Sequence, residues 1–323
     1  MKMNLSKMFF LSFMMVGVMM CLCSNNWLFI WCGLELSLIS FLPLMQGKLI
    51  ITSESVMKYF LVQSVSSGVL ILGLMMMMSK IINYDMMISL AILIKAGIAP
   101  FHLWLLTVIE GLYLMPMILI FTISKVAPLM ILSMMKMSLT LIISLTLLTG
   151  AILGLNQTSI RKMIAYSSIF NIGLMLMSVK SNFIWCYYLL VYSILLITLL
   201  FSFYKMNMFY VNQIISSEGS IHNKTIMWMT LLSMGGMPPL LGFSIKLIVI
   251  EFSLNNFMMI NLVLIILLSL LVMFFYLRMA YLTLMFYSST PKWMTMKTTK
   301  LSLILLSVNF LTLPLVLTYK VFY

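Results

Sequence analysis

From Leu5 almost to its end, the chain alternates apolar runs of about 20 residues with short polar joints. That rhythm leaves few folds open, because such a run is what one α-helix needs to cross a bilayer's hydrocarbon layer. Eleven runs can be read: 5–23, 26–45, 56–79, 86–109, 113–135, 138–155, 159–179, 183–204, 225–250, 257–287 and 301–320. They are continuous rather than alternating in and out, which excludes a transmembrane β-barrel. Composition agrees, with 63% hydrophobic and 8% charged residues and a mean hydropathy of +1.17. A water-soluble domain of 323 residues has nowhere to hide so much apolar surface. The expected fold is an all-α polytopic membrane protein, one transmembrane domain over 1–323. The longest polar connection, about 205–224, is too short to build a core of its own. No small-residue cleavage site follows the first run, so it reads as a helix of the mature chain.

The net charge of +13 does not point to nucleic acid. Placing the joints alternately on two sides puts most loop cations on one side, among them Lys7, Arg161, Lys162, Lys205 and Lys224. The other side receives Lys80, Lys136, Lys180 and Lys320. The positive-inside rule then sets the N-terminus on the cytoplasm-like side, and an odd number of spans sends the C-terminus opposite. Cys21, Cys23, Cys32 and Cys186 form no CxxC pair and have no histidine beside them, so they read as packing residues. The two histidines, His102 and His222, cannot supply a bis-histidine haem site. Neither a nucleotide loop nor a cluster-binding cysteine set is present, so no cofactor or metal is expected in this chain. The 37 methionines suggest an AT-rich genome with extra methionine codons, as in animal mitochondria.

Two runs are interrupted in their middles. In the fourth, Lys95 is followed by AGIAPFH (96–102); in the ninth, GGMPP (235–239) precedes Lys246. Proline removes a backbone donor and crowds the preceding turn, so both helices are expected to break. Freed backbone groups at membrane depth survive only when buried in protein or lining a wet cavity. Breaks in spans four and nine suggest two five-helix repeats, 1–135 and 136–287, with a final helix in 288–323. Five spans per repeat would make the second copy inverted. The competing view is two ordinary proline kinks, and the lysine beside each break weighs against it.

Charges stranded in the runs are the candidate functional residues, since lone charges in hydrocarbon are costly and mark ion or proton paths. Glu35 lies midway along span two, too central for a helix cap, though a core serine is an alternative partner. Burial raises a carboxyl's proton affinity and lowers a lysine's, while pairing the two restores both charges. A Glu–Lys pair whose separation changes therefore switches the lysine between holding and releasing a proton. Lys95 precedes the first break. Lys125 lies near the middle of span five, and neither is near enough to an interface to snorkel. Lys246, beyond the second break, remains open to snorkelling. Lys58 with Glu54 reads as an interfacial i,i+4 pair, and Arg278 as a snorkelling or lipid-pairing residue. His102 serves as a proton relay or satisfies freed backbone groups.

The stretches WCGLELSLISFLP (31–43), KAGIAPFHLW (95–104), SKVAPL (124–129), LNQTSIRKMIAYSS (155–168) and GGMPPLLGF (235–243) resemble the chain 2 family of NADH:ubiquinone oxidoreductase. This is the antiporter-like membrane subunit 2 of mitochondrial respiratory complex I, and the eleven-span length resembles its short animal form. The resemblance covers about 25–287. It implies an antiporter-like subunit that moves protons while electrons pass from NADH to ubiquinone in other subunits, which hold the FMN and iron–sulfur clusters. It further implies that Glu35 pairs with Lys95, that Lys125 is a central lysine, and that Lys246 serves the second broken helix. It also implies neighbouring antiporter-like subunits and lipids as partners, the mitochondrial inner membrane as location, and a matrix-side N-terminus. Members often carry a histidine where this chain has Asn171, an amide that can hold water but cannot titrate. Two other readings stand beside this one: a stand-alone cation/proton antiporter, and a purely structural spacer subunit that would tolerate neutral residues at Glu35 and Lys125.

Overall fold

In a computed structural model, described for residues 5–47, 49–79, 84–135, 139–216, 221–238 and 240–285, every regular element is a helix. The one strand-like feature among them is an isolated antiparallel bridge between Ser159 and Tyr210. Helices α1 (Leu5–Cys23) and α2 (Trp27–Met45) occupy the first two apolar runs. Helix α3 (Ile50–Met78) starts earlier than the 56 expected, so Glu54 and Lys58 pair at 3.8 Å on its exposed first turns. The fourth run forms α4 (Tyr84–Ala96) and α5 (Leu103–Gly111), with a break between them. Helices α8 (Thr140–Leu155), α9 (Ile160–Met177) and α10 (Asn182–Lys205) follow the next runs. The polar connection after them carries the single turn α11 (Gln213–Ser216). Helices α12 (Ile221–Gly235) and α13 (Leu241–Asn255) are the halves of the ninth run, and α14 (Met259–Met285) is the tenth. The expected final helix 301–320, Pro239 and the His222 side chain lie outside the described residues.

The fifth run departs from expectation. It is two helices, α6 (Leu114–Phe121) and α7 (Ile123–Met134), parted at Thr122 with φ −117° and ψ −80°. Pro128 has no N–H to offer the Ser124 carbonyl and its ring crowds that turn. Upstream, the Thr122 and Ser124 hydroxyls turn back onto the Ile118 and Ile120 carbonyls at 2.8 and 2.5 Å. Lys125 therefore sits in the first turn of a new helix, not in the middle of a long one. Two smaller corrections follow from burial. Lys224, read as a loop residue, is inside α12 and buried. Cys23, Cys32 and Cys186 are exposed, and only Cys21 packs inside, its thiol directed at the Ile30 carbonyl 3.4 Å away.

Among the described residues, six stretches are long and apolar enough to cross a membrane: α1, α2, α3, Leu114–Met134, α10 and Met259–Thr283 of α14. The chain packs as two compact units, Met1–Thr146 with Val179–Asn182, and Leu147–Ser178 with Phe183–Tyr323. In the first, α1 crosses α2 backbone to backbone. A methyl group on Gly17 would lie 2.8 Å from the Gly33 carbonyl oxygen, and one on Gly33 2.7 Å from that of Gly17. Small residues at a crossing let helices approach closely where no hydrophobic force between them exists. In the second unit α9 is buried continuously from Met163 to Met177, as an apolar helix packed on all sides should be. Many buried serine hydroxyls are spent locally. Ser66, Ser89, Ser168 and Ser244 each donate to the carbonyl three residues back, at 2.7 to 2.8 Å.

Candidate functional site

The end of α4 gathers three of the four stranded charges. After Ala96 the chain passes through Gly97 in the left-handed region, φ +67°, and leaves the helix. An α-helix ends with orphan carbonyls, which in an apolar interior need partners from somewhere. Here each is met. The Leu93 carbonyl accepts from the Ile98 N–H and the Ile94 carbonyl from the Gly97 N–H, both at 3.1 Å. Trp104 of α5 adds its indole N–H to the Ile94 carbonyl at 3.1 Å. The Lys95 carbonyl accepts from the Gln63 side-chain amide of α3 at 3.2 Å. The Ala96 carbonyl, the last, accepts from the Lys125 ammonium of α7. A cation also suits this point electrostatically, because the helix macrodipole is negative there.

Lys95 itself turns toward α2. Its ammonium lies 3.8 Å from Glu35 Oε1, and its side chain is 4% exposed against 25% for Glu35. At that separation the two charges attract without a close hydrogen bond, and Glu35 Oε1 has no hydrogen-bond donor among the described residues. The base is sealed in and the acid is not. Glu35 forms part of the wall of a groove of about 510 Å³ between α1 and α2, with Phe9, Phe13, Trp31 and Ile39. The core-serine alternative for Glu35 falls away: Ser37 and Ser40 donate to their own helix, to the Leu34 and Ser37 carbonyls.

The second unit repeats the device with a different lysine. Helix α12 ends at Gly235, Gly236 follows at φ +84°, and the Gly236 and Met237 N–H groups fold back on Ser233 and Leu232. The Gly235 carbonyl accepts from the Lys246 ammonium at 2.7 Å. Lys246 is buried and its head group is spent on this bond, so it does not snorkel. In the first unit the capping lysine comes from a neighbouring helix; in the second it comes from the far half of the same broken helix, one turn into α13.

Other singled-out residues take lesser places. His102 is buried where α5 begins and makes no side-chain capping bond to that helix. Arg278 bonds the Gln157 carbonyl at 3.3 Å rather than reaching outward. Asn171 is buried on α9 and accepts a hydrogen bond from the Tyr188 hydroxyl at 2.8 Å. Gln63 and the Thr122 break were missed at the sequence level. Gln63 had a signal, as the one glutamine in the apolar run of α3. Thr122 had a weaker one in the Pro128 that follows.

Two broken helices, each closed by a buried lysine, form an arrangement that can be compared directly with known proteins. Residues 24–273 match the family described as NADH:quinone oxidoreductase/Mrp antiporter, TM. Over 328 residues the chain is 36% identical to NADH-ubiquinone oxidoreductase chain 2 of Anopheles gambiae, covering 96% of each. The chain belongs to the NADH-ubiquinone oxidoreductase chain 2 family. The chain 2 protein of Locusta migratoria is 35% identical over 305 residues, 90% of this chain and 89% of that one. Among solved structures, respiratory complex I from Thermus thermophilus with bound Aureothin contains a chain of the same fold. The TM-score is 0.80 at 18% identity, over 88% of this chain and 71% of that chain. The all-helical, antiporter-like membrane fold of chain 2 proteins is thus the fold of this one.

Proposed function

We infer that this chain is a core membrane subunit of respiratory complex I that translocates protons, driven by electron transfer from NADH to ubiquinone in other subunits. The observation that carries the mechanism is the Glu35–Lys95 pair at the end of a helix whose last carbonyl is held by Lys125. Glu35 is the reachable member, so a movement or charge change in a neighbouring subunit acts on it first. Withdrawing its charge leaves Lys95 in an apolar setting without a counter-ion, and its proton affinity falls. Lys95 then gives up a proton, Lys125 is the next basic group in that unit, and Lys246 is the corresponding station of the second unit. Restoring the pair recharges Lys95.

The same reading takes the chain as the eleven-span form, built as two five-helix repeats, 1–135 and 136–287, the second inverted, with a last helix in 288–323. Two breaks of like design support it. The protein would lie in the mitochondrial inner membrane with its N-terminus toward the matrix and its C-terminus toward the intermembrane space. Its partners are other membrane subunits, antiporter-like neighbours among them, and lipids. All redox cofactors belong to other chains. Curated relatives that share nearly the whole length and carry the chain 2 name favour this over a stand-alone antiporter.

The test is made on the intact complex in proteoliposomes. Lys95→Ala and Glu35→Gln should each lower NADH-driven proton uptake and coupled quinone reduction, while NADH oxidation by an artificial acceptor is unchanged. Wild-type turnover and proton yield in both variants would sink the role.

A further inference from the structure

Helix α3 runs unbroken beside both halves of the interrupted fourth run. Its buried residues recur every three or four positions, as at Ser55, Tyr59, Gln63, Ser66, Leu70 and Gly73, so they form one stripe. That stripe meets α4 and α5 in reverse chain order. Toward its far end, a methyl group on Gly73 would lie 3.2 Å from the Ile88 nitrogen of α4. At the break, Gln63 holds the Lys95 carbonyl. Just beyond the break, the Tyr59 and Trp104 rings pack with centroids 5.9 Å apart. At the near end, a methyl group on Gly111 of α5 would lie 2.6 Å from the Ile51 carbonyl oxygen. One continuous helix thus braces a broken one along its length.

Tyr59 also reaches the helix that carries the acid. Its ring stands edge-on to Phe41 of α2, with centroids 5.3 Å apart and planes at 69°, and its phenol is within electrostatic range of Glu35. Phe41, Tyr59 and Trp104 form a row of rings from α2 across α3 to α5, with Phe41 and Tyr59 both buried. The far end of the row is tied to the base, because the Trp104 N–H sits on the Ile94 carbonyl, one residue before Lys95. Glu35 and Lys95 nevertheless stay 3.8 Å apart, too far for a hydrogen bond, although opposite charges in an apolar interior attract strongly. We propose that Tyr59 is the positioning residue of this pair: its ring, wedged between Phe41 and Trp104, keeps α2 from closing on the end of α4, while Gln63 fixes the Lys95 side of the gap.

A gap held open by packing makes the pair adjustable. In contact, a carboxylate holds a lysine's proton tightly; far apart in an apolar interior, the lysine loses it. Between those limits a small displacement of α2 changes the hold on the proton. Cys21 of α1 and Lys125 of α7 also face that end of α4, and neither belongs to the row of rings. Tyr59 itself carries no proton in this scheme and acts only through the distance it sets. The inference rests on the switching role proposed above for the Glu35–Lys95 pair.

The experiment compares Tyr59→Leu, Tyr59→Phe, Lys95→Ala and Leu147→Ala, the last a buried loss in the second unit. Each is assembled in the intact complex in proteoliposomes. NADH-driven proton uptake is followed against pH and normalised to NADH oxidation by an artificial acceptor. Leucine at position 59 lets the row collapse and the pair close. Uptake at neutral pH should fall roughly tenfold, and the alkaline limb of the profile should move up by about one pH unit. Tyr59→Phe keeps the ring and should keep the wild-type profile. Leu147→Ala should lower the thermal midpoint and leave the limb in place, which separates positioning from a general loss of stability. An unshifted limb in Tyr59→Leu beside a defective Lys95→Ala overturns the positioning role and leaves the switch standing. A Tyr59→Phe complex that behaves as Tyr59→Leu does overturns it too, since the hydroxyl and not the ring would then matter. Normal pumping in Lys95→Ala overturns the switch itself. Should Tyr59→Leu fail to assemble, the density map of the wild-type complex decides. The Tyr59 ring between Phe41 and Trp104, with carboxylate and ammonium out of contact, supports the role, and a direct Glu35–Lys95 hydrogen bond refutes it.

Discussion

At the scale of single residues, the decisive contacts are side chains that close a helix end. Gln63 holds the Lys95 carbonyl, and nothing else among the described residues competes for that bond. Gln63→Leu should leave a buried carbonyl unpaired, a penalty of about 1–3 kcal/mol, read as a lower thermal midpoint of the assembled subunit. Its effect on pumping should exceed that of a comparable loss elsewhere, because the same bond fixes the residue that carries Lys95. Lys125→Met is a stronger change. It removes the donor on the Ala96 carbonyl together with a proton-carrying group, so stability and proton yield should fall together. Restoring the charge with Lys125→Arg should recover stability first, since guanidinium donates as well as ammonium but does not release its proton. A Lys125→Arg complex that pumps at the wild-type rate would count against Lys125 as a carrier.

At the scale of elements, glycines decide where helices may touch and where they may end. Gly33→Ala drives a methyl into the Gly17 carbonyl and should part α1 from α2, at a cost of roughly 1–3 kcal/mol. Gly68 in α3 meets nothing within 4 Å, so Gly68→Ala should be neutral or mildly stabilising. Thermal unfolding of the two variants in one detergent reads the contrast directly, and equal shifts would refute the crossing. The breaks at Gly97 and Gly236 were legible in the sequence because glycine and proline leave a chemical signature. Glu35, Lys95, Lys125 and Lys246 were legible as candidates because charge is conspicuous in an apolar run. The pairing of Glu35 with Lys95 came from the family resemblance; the backbone partners of Lys125 and Lys246 were not legible. That Lys125 caps α4 and Lys246 caps its own broken helix depends on how far apart helices pack, which no local pattern encodes.

At the scale of the whole molecule, the loop cations are the ground for the proposed orientation. A protease added to mitochondria with a permeabilised outer membrane should leave a tag at Met1 intact and cleave it only after the inner membrane is opened. Cleavage in sealed mitoplasts would reverse the topology. The buried serines carry a broader consequence. In almost every helix their protons are locked onto the carbonyl three residues back, so a polar side chain in this interior is by default an insulator. A protein that works against a membrane potential needs that insulation as much as it needs a conductor. Each idle hydroxyl left free would be a stepping stone for leakage, and a single chain of them would short-circuit the gradient the complex builds. The selectivity of such a machine then lies partly in its silent positions, where a serine that merely stops back-bonding would cost coupling without touching any lysine.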